Sequence, residues 1–426
     1  MIKSSQDFHG SEIHLVSPSI ERIAIISVHG CPTAQLGSKD TGGMNVYIRQ
    51  LAKELSDRGI YVDIFTKYHD PKERQIVKVA DRARIIHINA GKFSDDKTHI
   101  PYHLPEFVCN LLDYTKQNHI SYDIIHSHYW LSGRVGTILA RHWNIPHIAS
   151  FHTLAEIKKR ARVGEIESEE RSLGEWKVIQ SADSIVAFSQ HEKDAMINFY
   201  AAQEQKIAVI PCGVDVNLFQ PLDQDEARKK LGIHDSRVIL YVGRLEPLKG
   251  VDILIRAVAQ LEQRDSVKTI IVGGDLERDS EMIRLKSLSS DLGVSEQVKF
   301  LGSLDQEDLP LYYNAADICV VPSYYESFGM VALESMACGT PVIASRVGGL
   351  PTIVEDGLTG YLIPWRCPEP FADGLDILLH NQTIRNAMSE ASKKKAMSMR
   401  WPLVVDRIVD SYHNLIAASE MDHEIE

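Results

Sequence analysis

Twice along this chain, short continuous apolar runs alternate with segments of helical periodicity. That alternation restricts the fold to parallel sheets with helices on both faces. In the first half the apolar runs are 23–28, 62–66, 83–88, 123–130, 147–153, 184–189 and 207–215; in the second they are 238–244, 269–274, 298–302, 318–321 and 342–345. Helical periodicity is read at 44–55, about 105–117, 165–180, 251–263, up to about 292, 308–315, 330–337 and from about 368 onward. The expectation is α/β: two doubly wound, Rossmann-like domains, 1–216 and 217–395, facing a central cleft. The segment 396–426 would be a helical piece that can pack back on the first domain, with a break at Trp401-Pro402 and an unstructured acidic tail. Residues 1 to about 20 read as a loosely held extension. The crossing between domains falls at 217–225, so hinges are expected near Asn217 and after Pro368.

Charge and cysteine usage exclude several functions. A net charge of −12 over 426 residues argues against a broad nucleic-acid or membrane surface, since phosphate backbones need a basic face. Six cysteines without a C-x-x-C spacing read as buried thiols of a reducing compartment. With no secretory leader and no apolar run of membrane-spanning length, the expected address is the cytoplasm. Nothing in the sequence bears on oligomeric state.

Chemistry concentrates where strands run out. The stretch 322–351, PSYYESFGMVALESMACGTPVIASRVGGLP, reads as strand end, loop and helix, with Glu326 in the loop and Glu334 eight positions on. Eight residues is slightly more than two helical turns, so both carboxylates can lean to one side, although by spacing alone Glu334 reads equally as a solvated helix residue. Gly42-Gly43 opens a helix after a glycine-rich loop and can aim backbone N–H groups at an anion, but neither a G-x-G-x-x-G fingerprint nor a P-loop is present. Arg244 and Lys249 follow a strand end in GRLEPLKG and would suit a diphosphate; alone they read as ordinary solvated cations. His126 and His128 suggest zinc only superficially, because no third and fourth ligands follow at suitable spacing, so no metal site is assigned. His152 stands at the mouth of another strand.

Together these residues resemble the retaining nucleotide-sugar glycosyltransferases of the GT-B fold, family four, over about 23–415. The most specific piece is ESFG (326–329) with Glu334 and Gly339-Thr340-Pro341, similar to the family's E-x7-E motif. The resemblance implies that Glu326 contacts the donor sugar, Glu334 holds the ribose and the backbone of Phe328, Gly329, Met330 and Val331 binds sugar hydroxyls. It further implies that Arg244 and Lys249 bind the diphosphate beside Gly42 and Gly43, and that His152 stands by the reacting centre. The strings DTGGMNVYI, YDIIHSHYWLSG and HTLAEIK are most similar to the branch acting on D-inositol 3-phosphate, which implies an acceptor site of Asn45, Lys97, Tyr129, Thr153 and Arg171. Lys97 is the weakest match, because its loop diverges.

The implied partners are a UDP-sugar donor, with glucose or N-acetylglucosamine, and a small phosphorylated acceptor. No cofactor is required, and magnesium is compatible but not implied. Sucrose-phosphate synthases are the rival reading, with Gly42-Gly43-Met44-Asn45 where their loop usually reads GGQ. A nucleotide-sugar epimerase of the same architecture and a non-catalytic sensor are the other classes.

Overall fold

The computed structural model describes residues 20–32, 42–93, 99–162, 164–234, 236–276, 279–364 and 367–425. The expected N-terminal extension and Lys97 lie outside them. Among the described residues, fourteen strands form two sheets. The first contains β1 (Arg22–Ile26), β2 (Tyr61–Lys67), β3 (Ile76–Lys78), β4 (Ala83–Ile88), β5 (Ile124–His128), β6 (His147–Ser150), β7 (Ser184–Ala187) and β8 (Ile207–Val209). Its order is β3-β4-β2-β1-β5-β6-β7-β8, parallel except where β3 runs against β4. The second contains β9 (Arg237–Val242), β10 (Val267–Val272), β11 (Val298–Gly302), β12 (Ile318–Val321), β13 (Val342–Ser345) and β14 (Gly360–Ile363), all parallel in the order β11-β10-β9-β12-β13-β14. The central strands are apolar on both faces because helices cover both, and Ile23, Ile25, Ile124 and Leu240 are fully buried.

Several sequence boundaries shift for identifiable reasons. The run 123–130 ends as a strand at His128: Tyr129 takes φ 74° and the helix Trp130–Trp143 begins. The run 147–153 likewise stops at Ser150, with His152 at φ 62°. The helix expected near 105 starts at Ile100 and carries Pro105 inside it. The end of the expected crossing runs into a helix, Gln224–Leu231, with Asp223 accepting from the Glu226 N–H at its start. The final helix runs Trp401–Ile425, so the tail expected to be unstructured is its last turn. Cys109 is exposed and Cys367 partly so, against the expectation of six buried thiols.

The chain crosses back between the lobes C-terminal to Pro368. Helices Pro368–His380 and Gln382–Ser398 pack within the second lobe, and the chain returns to the first lobe at Met399–Trp401. This return is laced to the outgoing crossing: the Val214 N–H donates to Met399 O at 3.0 Å and the Trp401 N–H to Val214 O at 3.3 Å. A Cβ on Gly213 would come within 2.7 Å of the Trp401 ring, so the indole seats directly on the crossing. From there the last helix lies along Gly43–Asp57, with the Tyr47 and Trp401 rings 5.2 Å apart and Tyr412 Oη 2.7 Å from His126 Nδ1.

Candidate active site

In each sheet the strand order reverses once, at β1/β5 and at β9/β12, and a parallel sheet opens a crevice at the carboxyl ends of the strands flanking such a reversal. The two crevices face each other across a cavity of ≈ 480 Å³. The lobes approach closely: a Cβ built on Gly42 would lie 3.8 Å from Arg244 Nε, and one on Gly43 3.2 Å from Met330 Sδ. Arg49 also donates to Gln306 Oε1 across the gap at 3.0 Å.

The wall from the second lobe is built by interlocked loops. After β9 come Arg244, which pairs with Glu246 at 2.6 Å, and the short turn Pro247–Lys249. Gly250 then adopts φ +66°, and any Cβ there would stand 2.1 Å from the Pro322 carbonyl oxygen. That contact, with the Tyr324 N–H donating to Leu248 O at 2.8 Å, fastens the loop after β9 to the loop after β12. It brings Lys249 Nζ to 2.6 Å from Glu326 Oε2. Gly348 supports the same loop from below, where a Cβ would stand 1.7 Å from Glu326 O. The helix Met330–Ala337 starts at Gly329, with φ +104°, and its first residues line the cavity, where a helix start leaves N–H groups without helical partners.

Glu334 is buried, not solvated. It accepts from Tyr313 Oη at 2.9 Å and from Gln306 Nε2 at 3.5 Å, and burial lifts its pKa to about 7 against the pull of those two hydrogen bonds. A carboxyl whose folded pKa lies above its unfolded value keeps its proton in the folded chain while the unfolded chain has lost it. Stability therefore falls as pH rises from about 4.5 through 7. Glu334→Gln is expected to remove that component, gaining roughly 2 kcal/mol over wild type between pH 5 and pH 8. Urea denaturation of both proteins at the two pH values measures it; a difference independent of pH contradicts it.

The wall from the first lobe rests on two strained residues at strand ends, Tyr129 and His152, both outside the region that side chains normally adopt. His152 Nε2 lies 2.9 Å from His128 Nδ1, and its ring packs against Tyr47 and Phe188. Burial depresses its pKa to about 3, so the imidazole is neutral at pH 7. The nearby His126 has Tyr412 Oη and Ser150 Oγ on its two nitrogens, which commits it to structure.

Arg171 follows a helix start at which Ser168 Oγ accepts the Arg171 N–H. Its guanidinium is almost wholly enclosed. It donates to Glu175 Oε1 at 2.8 Å, to Glu167 Oε2 at 2.9 Å and to Thr153 Oγ1 at 2.8 Å, and lies over the Tyr129 ring. Burial works against its charge, but Tyr129, Glu175 and Glu167 outweigh it and the pKa rises. Lys158 also pairs with Glu167, and the His29 ring lies 4.4 Å from that of Tyr129.

The cavity brings together Gly42, Gly43, Tyr129, His152, Thr153, Arg171, Arg244, Lys249, Glu326, Phe328, Gly329, Met330, Val331 and Glu334. Asn45 stands back from it: its Nδ2 donates to Cys31 O at 3.0 Å, and its Oδ1 is buried with no partner. Other residues line the cavity that were not among the sequence candidates, and His29, Lys158, Gln306 and Ser323 are among them. His29 ends an apolar strand run as His152 does, and Lys158 closes the HTLAEIK string, so both had a signal. Gln306 and Ser323 are uncharged loop residues and had none.

Residues 41–218 match the family described as Glycosyltransferase Family 4, and residues 223–395 the family described as Glycosyl transferases group 1. The chain is 39% identical over 413 residues to the D-inositol 3-phosphate glycosyltransferase of Corynebacterium glutamicum, covering 95% of this chain and 99% of that one. It is 38% identical over 420 residues to that of Mycobacteroides abscessus, covering 97% and 93%. Among solved structures, the sucrose-phosphate synthase of Thermosynechococcus elongatus superposes with a TM-score of 0.87 at 33% identity, over 93% of this chain and 100% of that one. The Anabaena protein HepE in complex with UDP and glucose shares the fold, with a TM-score of 0.76 at 21% identity over 93% and 100%.

Proposed function

Since this chain belongs to the family 4 glycosyltransferases and has their GT-B architecture, we propose that it moves a hexosyl group from a UDP-sugar to a hydroxyl of a phosphorylated cyclitol, D-inositol 3-phosphate, with retention of configuration. The observation that carries this reading is the opposition of two differently equipped walls across one cavity. One wall offers Arg244, Lys249 and helix-start amides, which suit a diphosphate; the other offers Arg171, Lys158, Thr153 and Tyr129, which suit a small phosphorylated polyol. The curated relatives that cover nearly the whole chain are D-inositol 3-phosphate glycosyltransferases.

In the proposed step the bond between the sugar C1 and the β-phosphate oxygen breaks as the acceptor oxygen bonds to C1 from the same face. The acceptor's proton passes to the departing phosphate oxygen. Negative charge grows on the leaving diphosphate, and Arg244, Lys249 and the Met330–Val331 amides stabilise it there more than in the ground state. Glu326 orients the sugar, Glu334 takes the ribose hydroxyls, and neutral His152 can hydrogen-bond a sugar hydroxyl without adding charge. The step calls for no protein nucleophile, and the two side-chain cations supply the positive charge that a metal would otherwise bring. On the acceptor side, an arriving phosphate competes with Glu167 for Arg171 and Lys158.

The likeness to a sucrose-phosphate synthase structure favours a second reading, with fructose 6-phosphate as acceptor. The deciding assay is UDP release from UDP-glucose and UDP-N-acetylglucosamine with D-inositol 3-phosphate, fructose 6-phosphate or no acceptor. Release dependent on inositol phosphate is expected. Release with fructose 6-phosphate alone would transfer the assignment to the second reading, and equal release with no acceptor would remove the acceptor site.

A further inference from the structure

We propose that the first lobe holds a soft divalent metal ion, of the zinc class, between Cys31, Glu73 and His87. Cys31 lies just beyond β1, Glu73 in the connection from β2 to β3, and His87 on β4. Their ligand atoms all lie within 4.8 Å of one another. Cys31 Sγ is 3.4 Å from His87 Nε2, and Glu73 Oε1 is 4.0 Å from the same nitrogen. Two ligands about 2.0 and 2.3 Å from a tetrahedral zinc stand roughly 3.5 Å apart, so the three donors need only a small inward adjustment.

The surroundings orient two of the three as ligands. His87 Nδ1 sits 2.7 Å from the Arg74 carbonyl oxygen, which can only accept, so that nitrogen carries the proton and Nε2 keeps a lone pair toward Cys31 and Glu73. A backbone carbonyl on the remote ring nitrogen is the usual support of a metal-bound histidine. Glu73 Oε2 accepts the N–H groups of His69 and Asp70, at 2.7 and 3.1 Å, which fixes the carboxylate and leaves Oε1 to face His87. Cys31 and His87 are buried, so water competes little.

The donor set also selects the ion. A thiolate and an imidazole favour zinc-class metals over magnesium or calcium. On binding, Cys31 gives its thiol proton to solvent, and one thiolate with one carboxylate balances a divalent charge inside the fold. The ion would tie the end of β1 to β2 and β4. Asn45 Nδ2 already holds Cys31 O, and His29 in the cavity wall is two residues upstream, so the strap would steady the chain beside that wall.

The test uses the full chain, stripped with chelator under reductant and titrated with Co²⁺ and then Zn²⁺. One equivalent of cobalt should produce a near-ultraviolet thiolate-to-cobalt charge-transfer band that zinc abolishes and that Cys31→Ser never shows. Glu73→Gln, at a partly exposed side chain, should weaken zinc binding by at least about tenfold. It keeps the test open if Cys31→Ser does not fold. No charge-transfer band in wild type, a band that survives Cys31→Ser, or zinc affinity unchanged by Glu73→Gln would each overturn the site. None of these readouts depends on the acceptor or on turnover.

Discussion

Lys249→Ala is expected to lower the turnover number about a hundred- to a thousandfold while leaving the fold intact, the range found when one preorganised group that stabilises transition-state charge is removed. The size follows from where the ammonium sits. Lys249 is held on a short turn that Gly250 and Pro322 lock against the next loop, and it reaches Glu326 Oε2 at 2.6 Å on the rim of the cavity. In the proposed step it trades that carboxylate for the leaving diphosphate. Because the side chain is one-fifth exposed, its loss leaves Glu326 near water and near Ser323 Oγ, so little folding energy is at stake. Steady-state kinetics with far-ultraviolet circular dichroism separate the two effects. A folded variant with near-normal turnover would remove Lys249 from the chemistry.

Arg171→Ala carries the largest expected cost in stability, about 3–5 kcal/mol, because it strands the carboxylate of Glu175 inside the protein and leaves Glu167 with Lys158 alone. Glu175 is wholly enclosed, and burial raises its pKa even with the arginine present. Without Arg171 that pKa rises further, so the loss should be greater at pH 8 than at pH 5, where protonation relieves the stranded charge. In the molecules that remain folded, the KM for the phosphorylated acceptor should rise far more than that for the donor. Replacing Glu167 and Glu175 by glutamine alongside Arg171→Ala should recover much of the stability without restoring the acceptor KM. An unfolding midpoint equal to wild type, or equal changes in both KM values, contradicts this account.

The fold was legible wherever burial on both faces writes a continuous apolar run. The central strands are of this kind, and their alternation with helices implied doubly wound sheets. Two edge strands were not: β3 is three half-exposed residues paired antiparallel, and β14 is four residues after a glycine turn. Strand ends were overread at Tyr129 and His152 because a left-handed turn leaves no trace in hydropathy, although those turns present both side chains to the cavity. The carboxylate partners of Arg171 stand four residues either side of it, a spacing visible on any helix. Its bond to Thr153 and the enclosure of Glu334 by Tyr313 and Gln306 come from separate segments, which local sequence does not encode. The helices after Pro368 look like any amphipathic segments in the sequence, and they pack within the second lobe.

The measurement that bears most directly on the central claim is the anomeric configuration of the product, read by proton NMR couplings after reaction of the α-configured donor UDP-N-acetylglucosamine, or UDP-glucose, with D-inositol 3-phosphate. Same-face transfer at a site whose cations stabilise the leaving diphosphate predicts an α-linked sugar on the inositol phosphate, and no such product from inositol lacking the phosphate. A β-linked product, or equal yield from the unphosphorylated cyclitol, would contradict it.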